Sequence, residues 1–156
     1  MFSRDLLRNF PLVAAGVSWL ATQTLKPLLH WLINREWDWR WLYSPGGMPS
    51  AHSAAFGALA TAVGLREGVG SSAFAIALVT AIVVLYDAAG VRQSASQQAR
   101  VLNQILTELF SGRPIGQEQL KELIGHTPIE VLVGTGLGVG VALVLACQFH
   151  NLVLSS

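Results

Sequence analysis

Charge is what this sequence has least of. Asp, Glu, Lys and Arg make up 12% of its 156 residues, against about 25% in an average soluble domain. A water-soluble fold of this size needs far more polar surface, so the solvent this chain is built for is lipid. The formal net charge of +1 excludes the strongly basic surface that holds nucleic acid. Cysteine is nearly absent. Cys147 stands alone in an apolar run, which excludes an internal disulfide and any cysteine-based metal site. No metal cluster, internal repeat or low-complexity segment is evident, and no cofactor is expected. The N-terminus lacks the compact apolar stretch and cleavage site of a signal peptide. Its apolar stretch starts at Pro11, runs on too far and contains Lys26, so it reads as a retained helix.

What the chain has in abundance is apolar residues, 52% of the total. A spanning helix needs about 20 mostly apolar residues. Three segments come close: Pro11 to Ile33, interrupted by Lys26-Pro27; Ser71 to Ala89; and Pro128 to Leu154. A fourth, Ala54 to Leu65, becomes long enough to cross most of a bilayer when counted back to Ser50, and Gly64 to Gly70 turns it into the next helix. Trp31, Trp37, Trp39, Trp41 and Tyr43 cluster past the first helix, as aromatic rings do at the membrane–water boundary. Ala99, Leu102, Ile105, Leu106 and Leu109 recur at helical spacing between polar residues. They predict an amphipathic helix, lying at the interface or packed on the bundle. A second short amphipathic helix is expected over Gln117 to Ile124. Gly134, Gly136, Gly138 and Gly140 give two overlapping small-residue spacings, suited to close helix packing inside the bundle or to a homo-oligomer through the last helix. The expectation is a single all-α domain over residues 1–156: an integral membrane bundle of about four transmembrane helices plus an amphipathic interfacial segment.

Threading four helices through a membrane places Lys26, Ser50, His52, Asp87, Arg92, His126 and Glu130 in the same half. Ionisable groups inside membrane helices are costly and usually functional. Two helix N-termini, near Ser50 and Thr127, point their N–H groups into that layer, as anion-binding helix starts do. With Lys26 and Arg92 the layer suits a phosphate-like oxyanion.

Each motif also has a plain structural reading. In Gly46-Gly47-Met48-Pro49-Ser50-Ala51-His52-Ser53, Ser50 is a good helix N-cap with His52 in the first turn. In Gly125-His126-Thr127-Pro128-Ile129-Glu130, Thr127 to Glu130 is a capping box with proline at the first helical position. It leaves His126 unexplained, and Glu130 is placed to fix that ring's tautomer. Asp87 and Arg92 in Tyr86-Asp87-Ala88-Ala89-Gly90-Val91-Arg92 suit an interfacial pair. Lys26 suits snorkelling, although it lies about two turns inside the aromatic belt, where a buried anionic partner is more attractive.

The Gly-Gly-Met-Pro-Ser-x-His-Ser signature, the Tyr-Asp-Ala-x-Gly-Val-Arg stretch, Leu102-Asn103 and Gly-His-Thr-Pro together resemble the divergent PAP2 family, related to acid phosphatases and vanadium-dependent haloperoxidases. The resemblance covers nearly the whole chain. It implies Ser50 as a phosphate ligand, His52 as general acid and His126 as nucleophile. Two departures stand out. Gln119-Leu120 occupy the place of the superfamily's upstream Ser-Arg, and the Lys-x6-Arg-Pro motif is absent, with Lys26 as its candidate remnant. The expected activity is metal-free hydrolysis of a lipid phosphate or diphosphate through a phosphohistidine. Glu130 would orient the ring, Lys26, Arg92, Ser50 and the Gly47 region would bind phosphate, and Asp87 would support the layer; vanadate would mimic the substrate. The expected partners are the lipid bilayer and the phosphorylated lipid. The alternatives are a non-catalytic membrane scaffold or assembly factor, and anion binding or transport. Arg35, Arg40, Arg92, Arg100, Arg113 and Lys121 lie on the polar-layer side against Arg4, Arg8 and Arg66 on the other, which predicts a multi-pass protein with that layer facing the cytoplasm.

Overall fold

A computed structural model of the chain describes residues 7–43, 47–109 and 127–154. The expectations for His126, for Gln119-Leu120 and for a helix over Gln117 to Ile124 lie outside the described residues. Among those described, the fold is all-α: α1 (Phe10–Asn34), α2 (Ala51–Glu67), α3 (Ser72–Ala89), α4 (Val91–Leu109) and α5 (Pro128–Leu154), with a 3₁₀ turn at Trp39–Leu42 and no strand. Among the described residues, two helices are long and apolar enough to cross a membrane, Ser72–Ala89 and Pro128–Gln148. The other two expected spans differ from these for visible reasons. α1 carries a polar inner stripe, and α2, at 17 residues, is about 25 Å long.

The helix starts follow from local chemistry. Asn9 Oδ1 accepts the Leu12 N–H at 3.3 Å, Ser50 Oγ accepts from Ser53 N–H at 3.3 Å, and Ser71 Oγ accepts from Phe74 N–H at 3.1 Å. Each satisfies an N–H group that the first helical turn leaves without a partner. α1 runs through Lys26-Pro27 without a break. The proline gives up one backbone hydrogen bond there, and the helix continues past it to Asn34. Only Gly90 separates α3 from α4, so the amphipathic helix begins earlier than its periodicity suggests. α4 packs on α3, and Val101, Leu102, Ile105 and Leu109 are exposed along it.

The centre of the bundle is α2, which packs against α1, α3 and α5. Its contact with α5 is built from small residues at matched spacing. A Cβ on Gly134 would collide with the Ser50 backbone, and one on Gly138 with the Ala54 carbonyl. One turn further, Ala58 and Ala142 are both fully buried in one cluster, with Ala62 and Ala146 beyond them. The series 50, 54, 58, 62 therefore meets 134, 138, 142, 146 in step, so the two helices run parallel. Such close backbone approach gives dense van der Waals contact where lipid supplies no hydrophobic drive between helices. Gly136 and Gly140 lie on the other flank and are exposed, with no atom within 4 Å of a Cβ built there. Of the two overlapping glycine pairs, one is consumed inside the bundle and the other faces outward.

The tryptophans split in the same way. Trp37 and Trp39 meet edge to face at 5.2 Å and are exposed, as is Tyr43, in keeping with a boundary belt. Trp41 turns inward, stacking on His30 at 4.8 Å. The Gln23 amide donates to the Leu42 carbonyl at 2.8 Å and ties this turn to α1.

Candidate functional site

The chain entering α2 is held by what it touches. Gly47 has a φ of +85°, and a Cβ there would lie 2.5 Å from the Trp41 ring, so both the backbone conformation and the space demand glycine. Pro49 follows a cis peptide bond and is fully buried. Ser50 is also fully buried. Its backbone N–H donates to the Glu130 carbonyl at 3.3 Å, joining the start of α2 to the first turn of α5. Its Oγ accepts from the Ser53 N–H and, at 2.9 Å, from the Ser53 hydroxyl. Ser50 thus performs the N-cap role and sits in the layer where both helices begin.

The capping box of α5 is formed as the sequence suggests. Glu130 Oε2 accepts the Thr127 N–H at 2.9 Å, and Thr127 Oγ1 accepts the Glu130 N–H at 3.3 Å. Glu130 is half-buried. It lies within electrostatic reach of Lys26, which is only 3% exposed on the inner face of α1. A buried ammonium needs an anion, and Glu130 is the carboxylate whose charge acts on it. One carboxylate therefore caps α5 and faces the buried cation.

His52 occupies the first turn of α2 and is exposed. It stands one turn above Phe56, which packs toward α3. Asp87 is half-buried in the last turn of α3. Arg92 lies in the first turn of α4; its side chain is outside the described residues, as is all of His126, which immediately precedes Thr127. The structure therefore brings together Lys26, Ser50 and Glu130 from three helices, with His52 on the same turn as Ser50.

Three further buried polar residues stand out, Ser53 in this layer and Ser18 and Thr22 farther along α1. Ser53 was part of the motif but had no role assigned by the sequence; it is fully buried and bonded to Ser50. Ser18 and Thr22 are 0% and 2% exposed and precede Lys26 at four-residue intervals. The Thr22 hydroxyl donates to the Ser18 carbonyl at 2.7 Å. The repeat of Ser, Thr and Lys at one helical period in an apolar segment was the available signal.

The dual position of Glu130 makes a separable prediction. Glu130→Gln keeps an oxygen for the Thr127 N–H and loses only the charge facing Lys26; Glu130→Ala loses both. Alanine is expected to be less stable than glutamine by about 0.5–2 kcal/mol, the usual worth of a cap. Thermal unfolding of the purified variants in detergent measures the difference. Equal losses would show that the cap contributes nothing and that the charge alone matters.

Comparison with known proteins agrees with this picture in extent. A family model described as the divergent PAP2 family matches residues 7–141. A protein of Bacillus subtilis (strain 168), described as the uncharacterized membrane protein YuiD, is 38% identical over 156 aligned positions, covering 93% of this chain and 99% of that one. No solved structure gives a significant match.

Proposed function

Because the chain belongs to the divergent PAP2 family, we propose that this membrane protein is a phosphatase that hydrolyses a lipid phosphate or diphosphate through a phosphohistidine. The observation that carries the reading is the meeting of a buried lysine with two helix N-termini. Lys26 from α1, the Ser50 start of α2 and the Glu130 turn of α5 share one layer. Such a layer offers positive charge and aligned N–H dipoles to an oxyanion.

In this mechanism an imidazole nitrogen of His126 attacks phosphorus, and the bond from phosphorus to the ester oxygen breaks. His52 gives its proton to the departing oxygen. Water then attacks the phosphohistidine, His52 takes the water's proton, and phosphate leaves with His126 restored. Lys26, Arg92, Ser50 and the backbone near Gly47 stabilise the charge on the phosphoryl oxygens. Glu130 orients the His126 ring, and Asp87 supports the layer from α3. The residues named need no metal or cofactor for these steps, and vanadate would occupy the phosphate position as an inhibitor. Release of inorganic phosphate from mixed lipid phosphates by the purified protein tests the reading.

One observation favours a second reading, a non-catalytic scaffold on the same fold. Ser50 is fully buried and its Oγ already serves as the α2 cap. Absence of phosphate release from any lipid phosphate, in a protein that unfolds cooperatively, would select this reading.

The layer is proposed to face the cytoplasm in a four-span arrangement. α2 and α5 begin at the same end, and the order of apolar runs in the sequence assigns Arg35, Arg40, Arg92, Arg100, Arg113 and Lys121 to that side against Arg4, Arg8 and Arg66, the bias of a cytoplasmic face. In a Cys147→Ser background, single cysteines at positions 115 and 68 are expected to label from the inside and the outside respectively. Labelling of position 115 only from outside would reverse the topology.

A further inference from the structure

The opposite end of the bundle holds a second assembly of charge. The start of α1 and the last turn of α2 border an open cavity of about 280 Å³ lined by Arg8, Asn9, Pro11, Arg66 and Glu67. That is the volume of roughly nine waters. One hydrogen bond ties the two chain segments together, and local contacts hold each wall. Arg66 Nη1 donates to the Arg8 carbonyl at 3.3 Å, and Asn9 caps α1 through the Leu12 N–H. Arg66 Nε stands 3.6 Å from a Glu67 carboxylate oxygen. Among the described lining residues there are two guanidiniums and one carboxylate, so that lining is net positive.

Its surroundings are apolar. Leu7, Leu12, Leu65 and Val69 are 70%, 46%, 51% and 76% exposed and flank the lining residues in sequence. The cavity also sits where α2 ends and α3, apolar enough to span a membrane, begins at Ser72. That places it at the water boundary of a bilayer. Paired guanidiniums bind phosphate oxygens in forked geometry, and basic pockets between membrane helices hold anionic headgroups. None of these residues takes part in the proposed hydrolysis.

We propose that this cavity binds the headgroup of an anionic phospholipid, with Arg8 and Arg66 on the phosphate and the acyl chains along the exposed leucines and valine. Glu67 sets the preference, because it penalises excess negative charge and holds Arg66 in place. A zwitterionic headgroup brings its own cation toward the guanidiniums and binds more weakly.

Native mass spectrometry of the full chain in detergent, with equal amounts of phosphatidylglycerol and phosphatidylcholine, tests the site. One phosphatidylglycerol per chain is expected to survive delipidation, with phosphatidylcholine lost. Each arginine near a lipid surface is worth roughly fivefold in affinity. The pair Arg8→Gln with Arg66→Gln is therefore expected to weaken retention by about 25-fold, while Arg40→Gln, at the opposite end, leaves it unchanged. The charge-preserving pair Arg8→Lys with Arg66→Lys is expected to restore part of it, because lysine keeps the charge and loses the forked geometry, which separates loss of the site from loss of the fold. Unchanged retention in the glutamine pair, no rescue in the lysine pair, or equal retention of phosphatidylcholine would overturn the proposal. Displacement of the lipid by millimolar inorganic phosphate would also overturn it, by showing a site for free anions.

Discussion

Gly138→Ala is expected to force α2 and α5 apart and to destabilise the bundle by about 3 kcal/mol, the upper end of overpacking penalties. The added Cβ would fall on the Ala54 carbonyl oxygen, with the carbonyl carbon 2.8 Å away. The obstructing atoms are backbone in the first turn of α2 and have no rotamer to escape into. Gly134→Ala meets the Ser50 backbone in the same way. It is expected to be comparably damaging and to disturb the Ser50 N–H bond to Glu130 as well. Gly136→Ala and Gly140→Ala are the controls. A Cβ at either position meets nothing within 4 Å, and glycine is the poorer helix former by about 1 kcal/mol, so these variants should be neutral or slightly stabilising. Unfolding of all four in one detergent reads the contrast. A Gly138→Ala protein as stable as wild type would rule out the close approach of the two helices, and so would a Gly136→Ala protein that is equally impaired.

The second large effect concerns turnover. Under the proposed mechanism His126→Ala removes the covalent step for every substrate, so phosphate release should vanish with lipid and with activated phosphates alike. His52→Ala is expected to behave differently. Its loss should cost about 10²–10⁴-fold where the leaving group is a poorly departing alkoxide, the usual worth of a general acid. The cost should be far smaller with a nitrophenyl phosphate, whose phenolate leaves without a proton. The exposed position of His52 on the first turn of α2, beside the Ser50 layer but outside its buried hydrogen bonds, suits a group that exchanges protons with substrate and water. Equal losses on both substrates would remove the acid assignment, and full activity in His126→Ala would remove the mechanism.

How much of this was legible in the sequence divides by range of interaction. The helix starts at Ser50, Ser71 and Thr127 were readable because each is decided within three residues, by a side-chain oxygen and the N–H groups just beyond it. The apolar runs that became α3 and α5 were readable because their composition leaves no other solvent for them. The meeting of the Ser50 and Thr127 helix starts needed only the alternation of helices up and down. The family followed from motifs that are contiguous in the chain.

What the tertiary structure alone decided is which of several equivalent residues turns inward. Gly134, Gly136, Gly138 and Gly140 have the same local chemistry and the same spacing. Only the register of α5 on α2 sends two of them against the Ser50 and Ala54 backbone and leaves two outside. Lys26 was recognisable as a cation inside an apolar helix, but its coming within electrostatic reach of Glu130 depends on the rotation of α1 toward a residue more than a hundred positions away. Trp41 was one of a run of alternating tryptophans until packing stacked it on His30 and pressed it against Gly47. In the sequence Arg8 and Arg66 enter only the charge balance of one side, and they share a cavity only because antiparallel α1 and α2 bring a beginning and an end together. Local hydrogen bonding and hydropathy act within a turn or along one run, so a single stretch of sequence contains them. The facing of one helix toward another is set by the shapes of both surfaces at once, and no single stretch holds that information.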